Sequence, residues 1–202
     1  MQYQVGDMLL SSIGTLFRGS VNDVLVCTDL NSPQRPKYLL LLLHDRSCIK
    51  KLVSTFENAS ESAPQKGPSY LYRFADNELL GFVFPYREER LLTDYAPGQA
   101  TTPQLQEQLC INLVVECMST NFPAPLLYLI LEQGQVHVEK DGSVYLLPLV
   151  DLEEFDPSIT EADCVTLCAR QVLEVLQLAS RRHLNSRDLV QKKTLKASYS
   201  SF

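Results

Sequence analysis

Histidine and cysteine are the side chains best suited to metal binding or nucleophilic chemistry near neutral pH, and the chain carries three of the first and six of the second. His44, His137 and His183 lie far apart, and none is paired with a Cys or a carboxylate at a metal-ligand spacing. Structural roles are expected for all three, and no metal or other cofactor is expected. Cys27, Cys48, Cys110, Cys117, Cys164 and Cys168 never form a CxxC, and each sits among aliphatic residues where a free thiol behaves as a small hydrophobe. A reducing, cytoplasmic compartment fits that usage. A nucleophilic hydrolase would need GxSxG or a cysteine near a base, and neither spacing occurs. Gly14 and Gly19 bracket Gly-Thr-Leu-Phe-Arg-Gly, which lacks the Gly-Lys-Ser/Thr ending of a phosphate loop, so both glycines read as turns.

Charged groups point the same way. Glu88 and Glu89 beside Arg87 and Arg90 read as a solvated surface, as do Arg181-Arg182-His183 and Lys192-Lys193. Asp151, Glu153, Glu154 and Asp156 form a local acidic patch of the kind that solvates a loop or meets a partner. Eighteen Lys plus Arg against twenty-four Asp plus Glu leave a net charge of -6, which removes the attraction that nucleic acid or an anionic membrane requires. Proteins are the expected partners. The longest apolar run, Tyr38 to Leu43, is far short of the roughly 20 residues that span a bilayer, so no insertion within this chain is expected. Met1 to Asp7 carries no basic residue, and no secretory leader is expected. At 202 residues with 45% hydrophobic side chains, the chain has enough apolar surface for one good core or two small ones.

Short apolar runs at Met8 to Leu10, Val24 to Thr28 and Tyr38 to Leu43 predict an antiparallel meander. Ile49, Leu52, Val53 and Phe56 recur at helical spacing after Asp45 and Ser47, two candidate N-caps, and predict a helix ending near Asn58. Ser60 to Ser69 reads as a loop. Tyr70 to Ala75 and Leu79 to Pro85 flank Asp76-Asn77 and predict a hairpin. A polar connector, Tyr86 to Ala100, precedes Thr102-Pro103, a good start for a helix carrying Leu105, Leu109, Ile111, Leu113, Val114, Cys117 and Met118, and this helix is expected to be buried on most sides. Phe122-Pro123-Ala124-Pro125 stops it, and Leu126 to Leu131 is too short to assign by periodicity. Asp141-Gly142 is the strongest hairpin signal, joining Gln135 to Val138 with Ser143 to Leu147. Thr160 caps a helix through Leu178, and Ser180 to Phe202 reads as a basic, Ser-rich tail or linker.

This order of elements resembles the bilobal protein kinase fold over roughly residues 3–178. The best local match runs from Tyr128 through Gln135, where the family has His-Arg-Asp, four residues and Asn. It continues without a gap through the hairpin to Pro148-Leu149-Val150, where the family has Asp-Phe-Gly. A weaker match joins Leu80 to Tyr86 with Leu91 to Tyr95, similar to the last upper-lobe strand, hinge and following helix. The resemblance implies an α+β, two-lobed fold: an upper lobe at 1–86 with an antiparallel sheet plus one helix, a connector at 87–100, a truncated helical lower lobe at 101–179, and a tail at 180–202.

Carried over position by position, the catalytic Asp falls on Ile130, which cannot take a proton. The magnesium-binding Asn falls on Gln135, whose longer side chain places its oxygen about one bond further out, and the second metal-binding Asp falls on Pro148, which offers no ligand. No lysine lies inside the Tyr38 to Leu43 strand, since Lys37 precedes it and Lys50 lies on the next helix, and Glu57 has no lysine partner in view. The resemblance therefore implies a degenerate pseudokinase, without catalytic, cofactor or metal residues, that acts as a protein-interaction or regulatory module. Tyr86 to Gly98, Asp151 to Asp156 and the tail are its candidate contact regions. Two rival readings are an atypical ATP-dependent phosphotransferase with acidic residues near Asp151 replacing the lost ligands, and a structural subunit of a larger assembly, which would expose a large apolar patch.

Overall fold

A computed structural model of the chain describes residues 1–62, 67–87, 90–92, 102–139 and 141–183. The architecture is α+β. A six-stranded antiparallel sheet has the order β1-β2-β3-β4-β6-β5, from β1 (Gln2–Val5), β2 (Met8–Arg18), β3 (Asn22–Asp29), β4 (Lys37–Leu43), β5 (Tyr72–Asp76) and β6 (Leu79–Pro85). Helix α1 (Arg46–Ser62) lies between β4 and β5, and its start is fixed by Asp45, whose carboxylate accepts the Cys48 N–H at 2.7 Å. A three-stranded sheet joins β7 (Arg90–Leu91), β8 (Val136–Val138) and β9 (Val144–Leu146). Helix α2 (Pro103–Ser119) packs on β9, and α4 (Glu161–His183) packs on both α2 and α3 (Ala124–Glu132).

The large sheet curls. Its two outermost strands, β1 and β5, touch each other, and the Tyr3 and Phe74 rings meet across that gap with centroids 5.9 Å apart. Closing the edges in this way shields backbone groups that an open sheet would offer to other chains. Inside the curl lies a small apolar cluster that includes Tyr3, Val5, Leu10, Leu25, Leu40 and Val83. Phe74 lies opposite Gly81 in register, and a Cβ on Gly81 would sit 2.2 Å from the Phe74 ring, so the glycine is what lets that ring lie flat on its neighbour. The other face of the sheet carries Leu39, Leu41, Leu43, Phe82 and Phe84. Their cluster runs unbroken through Leu52 and Phe56 of α1 into Leu126 and Ile130 of α3 and Leu167 of α4. Strand alternation on β4 explains the division, because both faces of this strand are covered.

Several expectations fail for physical reasons. Gly14 is not a turn: β2 continues to Arg18, and the register against β3 slips between Ser12 and Gly14 and again between Thr15 and Phe17. These irregularities absorb the break that Ser11, Ser12 and Gly14 suggested. Gly19 does turn, with its N–H on the Asn22 carbonyl. The meander gains an unforeseen first strand, β1, whose polar Gln2 and Gln4 face outward while Tyr3 and Val5 are buried. Helix α1 runs past Asn58 into the stretch expected to be loop, of which 63–66 lie outside the described residues. Leu126 to Leu131 belongs to a helix whose residues are buried on nearly all sides, which is why no period showed. Conversely, α2 is not buried on most sides: Leu109 and Leu113 are, but Ile111, Val114, Val115 and Met118 are exposed. The connector contributes the short strand β7, and its residues 88–89 and 93–100 lie outside the described residues. His183, expected in the tail, is the last residue of α4, and 184–202 lie outside the described residues.

Candidate functional site

The hairpin of β8 and β9 forms at Asp141-Gly142 as its turn chemistry requires, with Gly142 at a φ of 86° and the Asp141 carboxylate accepting the Ser143 N–H at 2.9 Å. Ile130, Gln135 and Pro148, the positions singled out in the sequence, lie at the end of α3 and on either side of this hairpin. The Gln135 N–H bonds the Ile130 carbonyl at 2.8 Å, and the Leu147 N–H, one residue before Pro148, bonds the Gln135 carbonyl at 3.1 Å. What they bring together is chemically poor. Ile130 is completely buried at the end of α3, Pro148 is buried, and the Gln135 side-chain amide donates to the Gln133 carbonyl at 3.4 Å.

The segment after Pro148 is held by a buried clasp. Asn22, at the start of β3 and 0% exposed, donates from Nδ2 to the Val150 carbonyl at 3.0 Å and accepts the Leu152 N–H on Oδ1 at 2.8 Å. Gln133 grips Asp151 from the other side, donating to its carbonyl and accepting its N–H, both at 2.8 Å. The acidic patch is thus part of a fastened loop. The Asp151 carboxylate accepts the Glu153 N–H, and Asp156 accepts the N–H and hydroxyl of Ser158, which hold its carboxyl below the ordinary aspartate range.

Beside this loop, a cleft of about 210 Å³ opens between the end of β6, the connector and β9. Phe84, Pro85, Arg87, Glu116, Tyr145 and Pro148 line it. Its volume falls below the roughly 300 Å³ at which pockets begin to enclose drug-sized ligands. Burial pushes the Glu116 carboxyl above the ordinary glutamate range, opposed by the Leu146 N–H and the Arg87 charge. Arg87 pairs with Glu139 and lies over the Tyr145 ring, 5.5 Å from its centroid.

The histidines do not converge. His44 lies 3.9 Å from Asp23, which also meets Arg18 at 3.7 Å, whereas His137 is buried in β8 and stacks on Tyr145 at 5.3 Å. Among the described residues no group of three or more His, Cys, Asp or Glu is placed to hold a metal ion. Lys37 and Glu57 are exposed at separate places, on β4 and α1. Glu88, Glu89 and the Lys192-Lys193 pair lie outside the described residues, and of Arg90, Arg181 and Arg182 only the backbone is described.

A larger cavity was not legible in the sequence. It measures about 670 Å³ and lies where the end of α1, the segment 67–69, the last turns of α2 and the first turns of α4 come together. Val114 and Met118 from α2 and Val165 from α4 form its rim, and Met118 is 75% and Val165 68% exposed. Helix spacing explains the rim. Leu109, Leu113 and Cys117 of α2 face the seam with Cys164, Cys168 and Val175 of α4, and the apolar residues one position further round are left outside. The charged side chain among its lining residues is Glu161, in the first turn of α4. No helix among the described residues is long and apolar enough to cross a membrane. No protein-family model and no curated protein matches this chain.

Proposed function

We propose that this chain is a protein-interaction module on a pseudokinase-like, two-lobed scaffold that performs no phosphoryl transfer, working in a reducing, cytoplasmic setting. The order of strands, helix, hairpin and helices along the chain supports the scaffold. An aliphatic residue, an amide and a proline at Ile130, Gln135 and Pro148 support the loss of catalysis, since none supplies the base or hard anionic ligands that the reaction requires. The carboxylates of Asp151 and Asp156 are engaged in their own loop, which disfavours the rival phosphotransferase.

The observation that carries the interaction reading is the exposed apolar face of α2 and α4 around the larger cavity. Such a patch is where a partner buries apolar surface. The occupant it fits is an amphipathic helix of a partner protein, its apolar side chains seated between α2 and α4 and its flanks basic, to match Glu161 at the cavity and the chain's net charge of -6. Selection of a displayed library of helical peptides on the full chain tests this. Enriched peptides should combine an apolar stripe with Lys or Arg flanks, and Met118→Asp or Val165→Asp should weaken them at least tenfold while leaving the thermal midpoint in place. Enrichment that ignores both variants, or no enrichment, overturns the reading. Dimerisation in light scattering that Met118→Asp abolishes would replace the partner helix by a second copy of this chain.

A further inference from the structure

We propose that Cys117 and Cys168 are a redox-modification site, a pair of thiols across the α2–α4 seam that a hydroperoxide converts into a reversible intramolecular disulfide. The proposal does not rest on the interaction reading. Its basis is the register of the two helices. Gln106 Nε2 donates to the Val175 carbonyl at 3.4 Å, and Cys110 Sγ lies 4.0 Å from the Val172 carbonyl, so α2 and α4 run antiparallel with these positions level. Continuing two turns along the same seam places Cys117 beside Val165, on the turn that carries Cys164 and Cys168.

The neighbouring thiols are already engaged. Cys164 donates to the Ala124 carbonyl at 3.2 Å and so turns towards α3, and Cys110 is directed at Val172. Cys117 and Cys168 instead line the larger cavity together from the two facing helices, and their interaction lowers the Cys168 thiol below its ordinary range and raises that of Cys117. Cys164, Cys27 and Cys48 are each pushed up to about 11, with burial the largest cause, and are poor nucleophiles by comparison. Access is provided by the larger cavity, which both sulfur-bearing residues line and which opens to solvent.

The chemistry balances in two steps. The Cys168 thiolate attacks one oxygen of hydrogen peroxide, forming an S–O bond as the O–O bond breaks, and the departing hydroxide takes up a proton to leave as water. The Cys117 sulfur then attacks the Cys168 sulfenic acid, forming the S–S bond as the S–O bond breaks, and the Cys117 proton leaves in a second water. Two thiols lose two electrons, and the peroxide gains them.

The test uses the reduced full chain, treated with hydrogen peroxide, quenched with N-ethylmaleimide and digested without reductant for mass spectrometry. A peptide pair linking Cys117 to Cys168 is expected, with loss of two of the six alkylatable thiols and their return on adding dithiothreitol. Cys164→Ser should keep the link, and Cys168→Ser should abolish it. Six thiols that still alkylate, a link through Cys164 or Cys110, or sulfinic acid without any link overturns the proposal. The wild-type digest decides the matter even where a variant fails to fold.

Discussion

Replacing Asn22 with alanine removes both hydrogen bonds that fasten the segment after Pro148 to the large sheet. The side chain is completely buried, so the Val150 carbonyl and the Leu152 N–H lose their partner in a place where solvent does not already reach. Each buried group left unsatisfied costs about 1–3 kcal/mol, so the pair costs about 2–6 kcal/mol, with the middle of that range near 4. For a chain of this size 1 kcal/mol moves the thermal midpoint by about 2–4 °C, so a drop of about 8–16 °C is expected. In urea the same loss appears as a midpoint lowered by about 2 M at a slope near 2 kcal/mol per M. Asn22→Asp separates the two bonds, because its carboxylate still accepts the Leu152 N–H but cannot donate to the Val150 carbonyl and repels it. That variant should also lose stability. Amide exchange gives a local check: the Leu152 N–H should lose protection in Asn22→Ala beyond the amides of β3 and β4. A loss under about 0.5 kcal/mol, the size of an ordinary surface change, would refute the clasp.

Gly81→Ala should drive the Phe74 ring off its seat, costing about 1–3 kcal/mol in chemical denaturation and loosening the contact between β1 and β5; an unchanged midpoint contradicts the close packing drawn there. Glu116→Gln addresses a carboxyl whose folded-state proton affinity is raised chiefly by burial. Folding then favours its neutral form, so wild-type stability should be fully kept below the ordinary glutamate range and should fall as pH rises through that range and the raised folded value. The glutamine variant should therefore gain on the wild type at neutral pH and converge with it near pH 4, as read from urea midpoints; a gain independent of pH counts against this cause.

What the sequence disclosed and what it hid divide by the range of the interaction. Signals confined to a few residues translated directly into structure: Asp45 at the start of α1, Thr102-Pro103 at the start of α2 with its hydroxyl on the Leu105 N–H, and Asp141-Gly142 in the hairpin. Gly14 misled because a bulged strand and a turn use the same residue. The breadth of the apolar stripe on α2 also misled, since it showed how much of the helix is hydrophobic but not how much of it would be covered. The Asn22 clasp spans 128 and 130 residues and leaves no local trace. The Cys117–Cys168 pair depends on how two helices slide against each other, which six isolated cysteines do not reveal. Ile130, Gln135 and Pro148 were singled out by spacing alone; the backbone bonds Gln135 to Ile130 and to Leu147, the residue before Pro148, and neither bond bears on what those side chains do.

On the proposed reading the cleft beside Pro148 holds no metal triphosphate, and a thermal-shift titration with ATP and magnesium tests that. A ligand held at 100 times its Kd adds about 2.7 kcal/mol, which for a chain of this size is a rise of about 5–10 °C. An unchanged midpoint is expected at millimolar ATP with or without magnesium. A rise that appears only with magnesium would contradict the reading and favour the rival phosphotransferase.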